Sequence, residues 1–340
     1  MKYHSLHRIS AVAAAVLGSL ALAGLASCNH SVWRLETLPV AWRMDGFEHS
    51  LDLSGIAAAS ATQCLVGSDE SFYVQPGLID PATRRIHPLE PIPLPVEAAS
   101  RKVEVDIEGI AFAAAERAYY VVGSHGVGKK KADFQPARHS VYRVPLRPDS
   151  DQVQAAAIER SSLLPWLEKT PLLVPYVKRQ LQQNGLNIEG LAYANGRLFF
   201  GLRAPNKDGR GLVIELAAAE LFGGPPKPLT VHELALPRGR GIREVVAVSD
   251  GFLLLTGNAS AEATKKFPTS QAPGPDTRFE LLHWNGRDSV PANIGTLPAS
   301  GGKAEGLLVL AETDRHIDAL VIFDGLPDGR PLTVRAHRRR

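Results

Sequence analysis

Four glutamates recur at matching places in this chain. Glu108 in Asp106-Ile107-Glu108-Gly109-Ile110, Glu189 in Asn187-Ile188-Glu189-Gly190-Leu191 and Glu305 in Lys303-Ala304-Glu305-Gly306-Leu307 each open an apolar stretch. Glu244 in Ile242-Arg243-Glu244-Val245 belongs to a degenerate copy, and Leu53-Ser54-Gly55-Ile56 is another, with serine in place of the acid. Equivalent positions in a repeat array meet in space, so these acids are expected to converge. Two carboxylates about 6 Å apart repel by roughly 3 kcal/mol at an effective dielectric of about 20. A cluster of them therefore needs compensation, and three forms are open. A hard cation such as calcium takes carboxylate oxygens, with Glu108, Glu189 and Glu305 as its ligands. Arginines pair with the acids, and Arg203 and Arg243 lie in the motifs. Alternatively, some glutamates keep their protons through a raised pKa.

A second apolar stretch follows each motif and ends in polar residues: Ser68-Asp69-Glu70, Ser124-His125, Arg203 with Asn206, Asn258, and Asp324. These should surround the same opening. His125, Arg203, Arg243 and Asp324 thus join the four glutamates as candidate ligand-binding residues. Carboxylates, an imidazole and arginines in one funnel suit a small anionic or phosphorylated ligand, with or without a metal. A structural explanation stands beside this one: glycine relieves a crowded axis, and glutamate caps neighbouring backbone N–H groups. Other motifs fail. Ser124 and His125 are adjacent, so on a strand they point to opposite faces and form no dyad. Arg138-His139 is followed by Ser140, which completes no histidine-phosphatase signature. Gly126-Val127-Gly128-Lys129-Lys130-Lys131 lacks the spacing and context of a phosphate loop. The chain has no HExxH, GxSxG or CxxC.

The elements that must position these residues are short strands. Ala118–Val122, Arg197–Phe200, Gly251–Leu255 and Asp318–Phe323 are dense apolar runs bounded by turn residues and too short for helices. Each repeat parses into four strands; in the second they are 108–112, 119–123, 141–144 and 153–158, and in the third 189–193, 197–202, 212–216 and 229–234. Four-stranded units in series predict an all-β fold, a β-propeller of five blades, with six as the alternative. The fifth unit has three strands, ending with 332–336, and Val32 to Val40 is expected to supply its outer strand, so that both chain ends close one blade. Residues 161–184, divided by Pro165, Pro171 and Pro175, predict a helical insertion of two short helices, either a plug on the sheet or a lid over the channel.

The first residues give an address. Lys2 and Arg8 precede an apolar run from Ile9 to Leu25, and Leu25-Ala26-Ser27-Cys28 resembles a bacterial lipobox. The expected organisation is a lipoprotein signal peptide over 1–27, a lipidated tether over 28–31 anchored to the membrane through Cys28, one propeller domain over 32–336 and a basic tail over 337–340. Asn29 follows the cysteine with no aspartate retention signal, which favours the outer over the inner membrane. Cys64, the other cysteine, then has no intramolecular partner and is expected to be a buried, inert thiol. The formal charge of +3 falls to +1 once Lys2 and Arg8 are removed, which gives no electrostatic case for nucleic acid.

These motifs resemble a bacterial family known as domain of unknown function 3616. The resemblance rests on Asp106-Ile107-Glu108-Gly109, Gly123-Ser124-His125, Arg138-His139, Asn187 to Leu191, Gly201-Leu202-Arg203-Ala204-Pro205, Gly239 to Arg243, and Glu305-Gly306 with Asp324-Gly325. It implies a propeller distantly similar to phytase-like esterase propellers, whose Glu-Gly strands line a central channel. The chain departs from that pattern at Ser54. Two functions follow as expectations: a cell-envelope propeller binding a small anionic ligand, metal or protein partner at its channel, or a calcium-dependent phosphoesterase or esterase.

Overall fold

The second strand of each repeat carries an apolar run because it is covered on both faces, as in Ala118–Gly123, where every residue is buried. Burial falls from there outward, and rim strands such as Thr230–Ala235 and Ala292–Thr296 alternate toward solvent. The computed structural model describes residues 32–96, 104–129, 132–261, 265 and 278–339. The signal segment 1–27, Cys28, the tether 28–31, Lys130 and Lys131 lie outside them.

Five four-stranded antiparallel units make five blades, one of them carrying an extra short strand. Blade 1 holds Leu53–Ala58, Gln63–Ser68, Tyr73–Asp80 and Arg85–Pro88, with Ile92–Pro93 added beside its third strand. Blade 2 holds Ile107–Ala113, Ala118–Gly123, Val141–Pro145 and Glu159–Ser161, and blade 3 holds Asn187–Ala194, Arg197–Lys207, Arg210–Ala217 and Thr230–Ala235. Blade 4 consists of Arg240–Val248, Gly251–Asn258, Glu280–Trp284 and Ala292–Thr296. In blade 5, Lys303–Glu312, His316–Asp324 and Leu332–Arg339 are completed by Val32–Thr37, whose partners run from Val32 opposite Arg339 to Thr37 opposite Val334. The expected closure by the N-terminal strand is therefore present. The first strands are innermost, and each contacts the next until the fifth returns to the first.

Five apolar clusters fill the five seams between adjacent blades. Near the hub the inner strands come together backbone to backbone. A Cβ on Gly109 would lie 2.7 Å from the Leu191 amide nitrogen, and one on Gly190 would lie 2.7 Å from that of Val245. This is the reason for the glycine in Glu-Gly, and it agrees with the structural half of the sequence reading.

Three expectations need correction. The fourth strand of blade 2 is Glu159–Ser161 rather than 153–158, because 155–157 form a 3-10 turn. The insertion holds one four-residue α-helix, Leu164–Leu167, then turns and a 3-10 segment at Leu181–Gln183; proline stops longer helix. Its Leu163, Trp166, Leu167, Leu173, Val177 and Leu186 fill the seam between blades 2 and 3. The last strand runs to Arg339, past the expected start of the basic tail at 337. Arg335 donates to both Asp318 oxygens at 2.6 and 2.7 Å, and Arg338 pairs with Glu312 and Asp250, so these cations are structural partners rather than a free tail. Cys64 is buried, its thiol pushed up to about 12 by desolvation.

Candidate functional site

One device repeats at the start of every inner strand. Its pairing with the second strand slips between Leu53 and Gly55, Ile107 and Gly109, Ile188 and Gly190, Ile242 and Glu244, and Ala304 and Gly306. The skipped residue in each case is a β-bulge, a feature that re-aims a side chain. The five bulged residues are Ser54, Glu108, Glu189, Arg243 and Glu305. Glu244 is thus not the fourth member of the glutamate ring. It stands where other blades have glycine, and Arg243 takes the ring position. The Glu244 Oε1 accepts the Leu191 N–H at 3.1 Å and the Val245 N–H at 2.8 Å, a capping role within the wall. Burial holds its carboxyl well above the usual range, against the pull of those two N–H groups.

Arg243 joins the ring together. Its Nε lies 2.8 Å from Glu189 Oε2, and its Nη2 donates to Glu305 Oε1, with all three side chains buried. Arg203 donates from Nη1 to Glu189 Oε1 at 2.8 Å and from Nη2 to the Ser260 carbonyl at 2.6 Å. Burial tends to discharge Arg243, but Glu189 and Glu305 overcome it and keep the guanidinium charged. Among the described residues no three His, Cys, Asp or Glu side chains are arranged to hold a metal ion. The expected calcium ligands Glu108, Glu189 and Glu305 do not fit that role, since a guanidinium already occupies the place between two of them. Arginine is the compensation this ring uses at Glu189 and Glu305.

Glu108 has a different solution. It is 8% exposed and makes no ion pair or hydrogen bond among the described residues. Burial, then the charge of Glu189, holds its carboxyl well above the usual range, so it keeps its proton. Asp69 is pushed up to about 9 by desolvation and then by Asp106. Burial also raises Glu305 to about 7 against the opposing pull of Arg243, and Glu104 to about 7 against that of Arg138. Arg138 pairs with Glu104 and lies 3.2 Å from Asp106, and the Lys303 Nζ donates to Asp324 at 2.6 Å.

These groups open on two adjoining spaces. An axial cleft of about 190 Å³ is lined by Asp69, Asp106, Glu108, Asn187, Glu189, Glu305 and Asp324, with Arg138, Arg203 and Lys303. Beside it, a groove of about 600 Å³ between blades 4 and 5 is lined by Arg203, Arg243, Arg278 and Lys303 with Asn258, Ser260 and Ser300, and no carboxylate lines it among the described residues. The opposite end of the axis is apolar, with Ile56, Ile110, Leu191 and Leu307 around a space of about 190 Å³.

His125 does not face the cleft. Its φ of 54° turns the chain aside, and the ring is fully buried. Nδ1 lies 2.9 Å from the Gly123 carbonyl, and Nε2 accepts the Leu163 N–H at 3.2 Å, which fixes the Nδ1–H tautomer and ties blade 2 to the insertion. Desolvation, then His139, lowers its pKa to about 3. The 161–184 segment reaches the cleft through Leu181 and Gln182. Sequence reasoning missed Asp106, Asn187 and Lys303 as site residues. All three occupy one position, two residues before the ring residue; strand alternation returns the Asn187 and Lys303 side chains to the same face, whereas Asp106 precedes its strand with a φ of 57°. It also left Arg138 inside a motif with no role.

The family described as protein of unknown function (DUF3616) matches residues 135–335, and the chain belongs to it. No curated protein matches the chain in sequence. Solved structures similar to it include that of U3-55K, with 9% identity, 89% of this chain and 98% of that one covered, and a TM-score of 0.40. The RRP9 WD40 repeats align at 9% identity over 88% of this chain and 82% of that one, TM-score 0.37. A protein from Lactobacillus plantarum aligns at 12% identity over 84% of this chain and 71% of that one, TM-score 0.36.

Proposed function

We propose that this member of the family is a non-catalytic propeller of the bacterial cell envelope that binds a small anionic ligand at its channel mouth. One observation carries the reading: the groove between blades 4 and 5 presents Arg203, Arg243 and Lys303, with no acidic residue among the described residues that line it. Arg203 and Arg243 are held in place by Glu189, so their remaining donors are aimed before a ligand arrives, which lowers the ordering cost of binding. Ser260 and Ser300 add hydroxyls to the same wall. The hydrolase alternative loses ground because its expected metal ligands are bridged by Arg243.

Calorimetry of the full chain with inorganic phosphate and sulfate tests this. Binding is expected, and Arg203→Gln should weaken it about tenfold or more, the worth of a charge-assisted hydrogen bond. Failure of both anions to bind, or equal affinity in the variant, would discard the proposal.

The envelope address rests on the Leu25-Ala26-Ser27-Cys28 lipobox, and on a lipid carried by Cys28. Metabolic labelling with palmitate should mark the chain and not its Cys28→Ser variant. The closing strand adds an orientation. Val32 pairs with Arg339, at the end of blade 5 away from the polar mouth. Four residue steps lead to it from Cys28, a reach of about 14 Å at most. The anchor would then hold the apolar end toward the bilayer and leave the ligand mouth facing water.

A further inference from the structure

The axial cleft is lined by both acidic and basic side chains. Glu108 and Asn187 are each 8% exposed and line it. Glu108 has no hydrogen-bond or ion-pair partner among the described residues, and the Asn187 Oδ1 and the Asp69 Oδ1 accept no hydrogen bond there. Buried acceptors without donors are costly, and two of them open on the cleft that Glu108 lines. Cations line the same cleft, among them Arg138, which pairs with Glu104 and Asp106, and Arg203 and Lys303, which also line the basic groove.

We propose that the cleft takes a small zwitterion, its primary ammonium against Glu108, Asn187 and Asp69 and its anionic group reaching Arg203 and Lys303. An ammonium offers three donors and no acceptor, which suits the unpartnered Asn187 and Asp69 oxygens and, once it is ionised, the Glu108 carboxylate. The anionic half rests on the function proposed above; the ammonium half rests on Glu108 and its neighbours alone. Burial, then the charges of Glu189, Asp106, Glu305 and Asp69, raises the Glu108 carboxyl well above its usual range, and Asp69 beside it is pushed up to about 9. As the ammonium arrives, the Glu108 carboxyl gives its proton to the buffer and becomes the counter-ion, so binding releases a proton and strengthens as pH rises.

The full chain is titrated with O-phosphoethanolamine, inorganic phosphate and ethylammonium, in two buffers of different ionisation enthalpy. Phosphoethanolamine is expected to bind about tenfold or more tightly than phosphate, with proton release. In Glu108→Gln that ratio should fall toward one and the proton release should drop, leaving only what Asp69 contributes; Asn187→Ala should lower the ratio with less effect on the proton. Thermal unfolding of both variants checks that they fold. Phosphate binding with no gain from the ammonium overturns this inference and leaves the anion site standing. A preference and proton release that survive undiminished in both variants overturn it as well, as does calcium binding tighter than ethylammonium that Glu108→Gln abolishes. Absence of binding by any of the three probes removes both proposals. Vesicles displaying the ethanolamine phosphate headgroup separate the sources: capture by vesicles alone assigns a lipid, and binding of the free compound assigns a solute.

Discussion

The two ends of the central axis are built from the same five inner strands, only two residues apart along each, yet they cohere by different physics. At the apolar end, Ile56, Ile110, Leu191 and Leu307 are at most 3% exposed and need only shape and freedom from water. At the mouth, Glu108, Glu189, Arg243 and Glu305 are at most 8% exposed and carry ionisable groups. Buried ion pairs rarely add net stability over apolar packing of the same volume. A fold that needed only closure could have used the lower layer twice. The polar layer is therefore the part of the hub that calls for a functional explanation, and the difference between the layers can be measured.

The largest effect is expected from Arg243→Met. It leaves Glu189 and Glu305 buried without their shared cation, and should cost about 3–5 kcal/mol in urea unfolding near neutral pH. The cost should shrink on acidification, as Glu305 loses the guanidinium that restrains its pKa and takes up a proton. An equal cost at both pH values would mean that Arg243 acts by packing, and the contrast would collapse. Leu191→Ala, two residues beyond Glu189, should cost about 2–5 kcal/mol through lost burial and a cavity. That cost should be the same in acid and in mild base, and a strong pH dependence would place charge at the end described as apolar. Glu244→Gln should have the smallest effect and the clearest sign. The folded-state pKa of Glu244 lies above its ordinary 4.5, so the bound proton favours folding; this contribution is complete below 4.5 and is lost as pH rises toward the folded value. The variant keeps the acceptor and discards the titration. Its stability should therefore gain on the parent by up to about 1.4 kcal/mol per pH unit above that point. Parallel curves for parent and variant would show that Glu244 is ionised in its cap.

Much of the architecture was legible before any coordinates. Short double-faced apolar runs marked the second strands, and the missing fourth strand of blade 5 pointed to Val32. The site was legible in outline and misread in register. Ile242-Arg243-Glu244-Val245 aligns with Ile188-Glu189-Gly190-Leu191 residue for residue, which puts arginine under glutamate and glutamate under glycine. Matching acid to acid hid the one substitution that explains how the ring tolerates its charge. His125 was misplaced because alternation assumes extended backbone, and a left-handed φ of 54° breaks it. The partnership of Arg138 with Glu104 and Asp106 links residues more than 30 positions apart, and no local pattern announces it.

The closing blade has a mechanical consequence. Val32 and Arg339 face each other at one end of an antiparallel pair. Tension that draws the two chain ends apart therefore loads the first rung of that ladder before the second. The pair would unzip sequentially rather than shear all at once, and its loss would unlatch the whole circle at one seam.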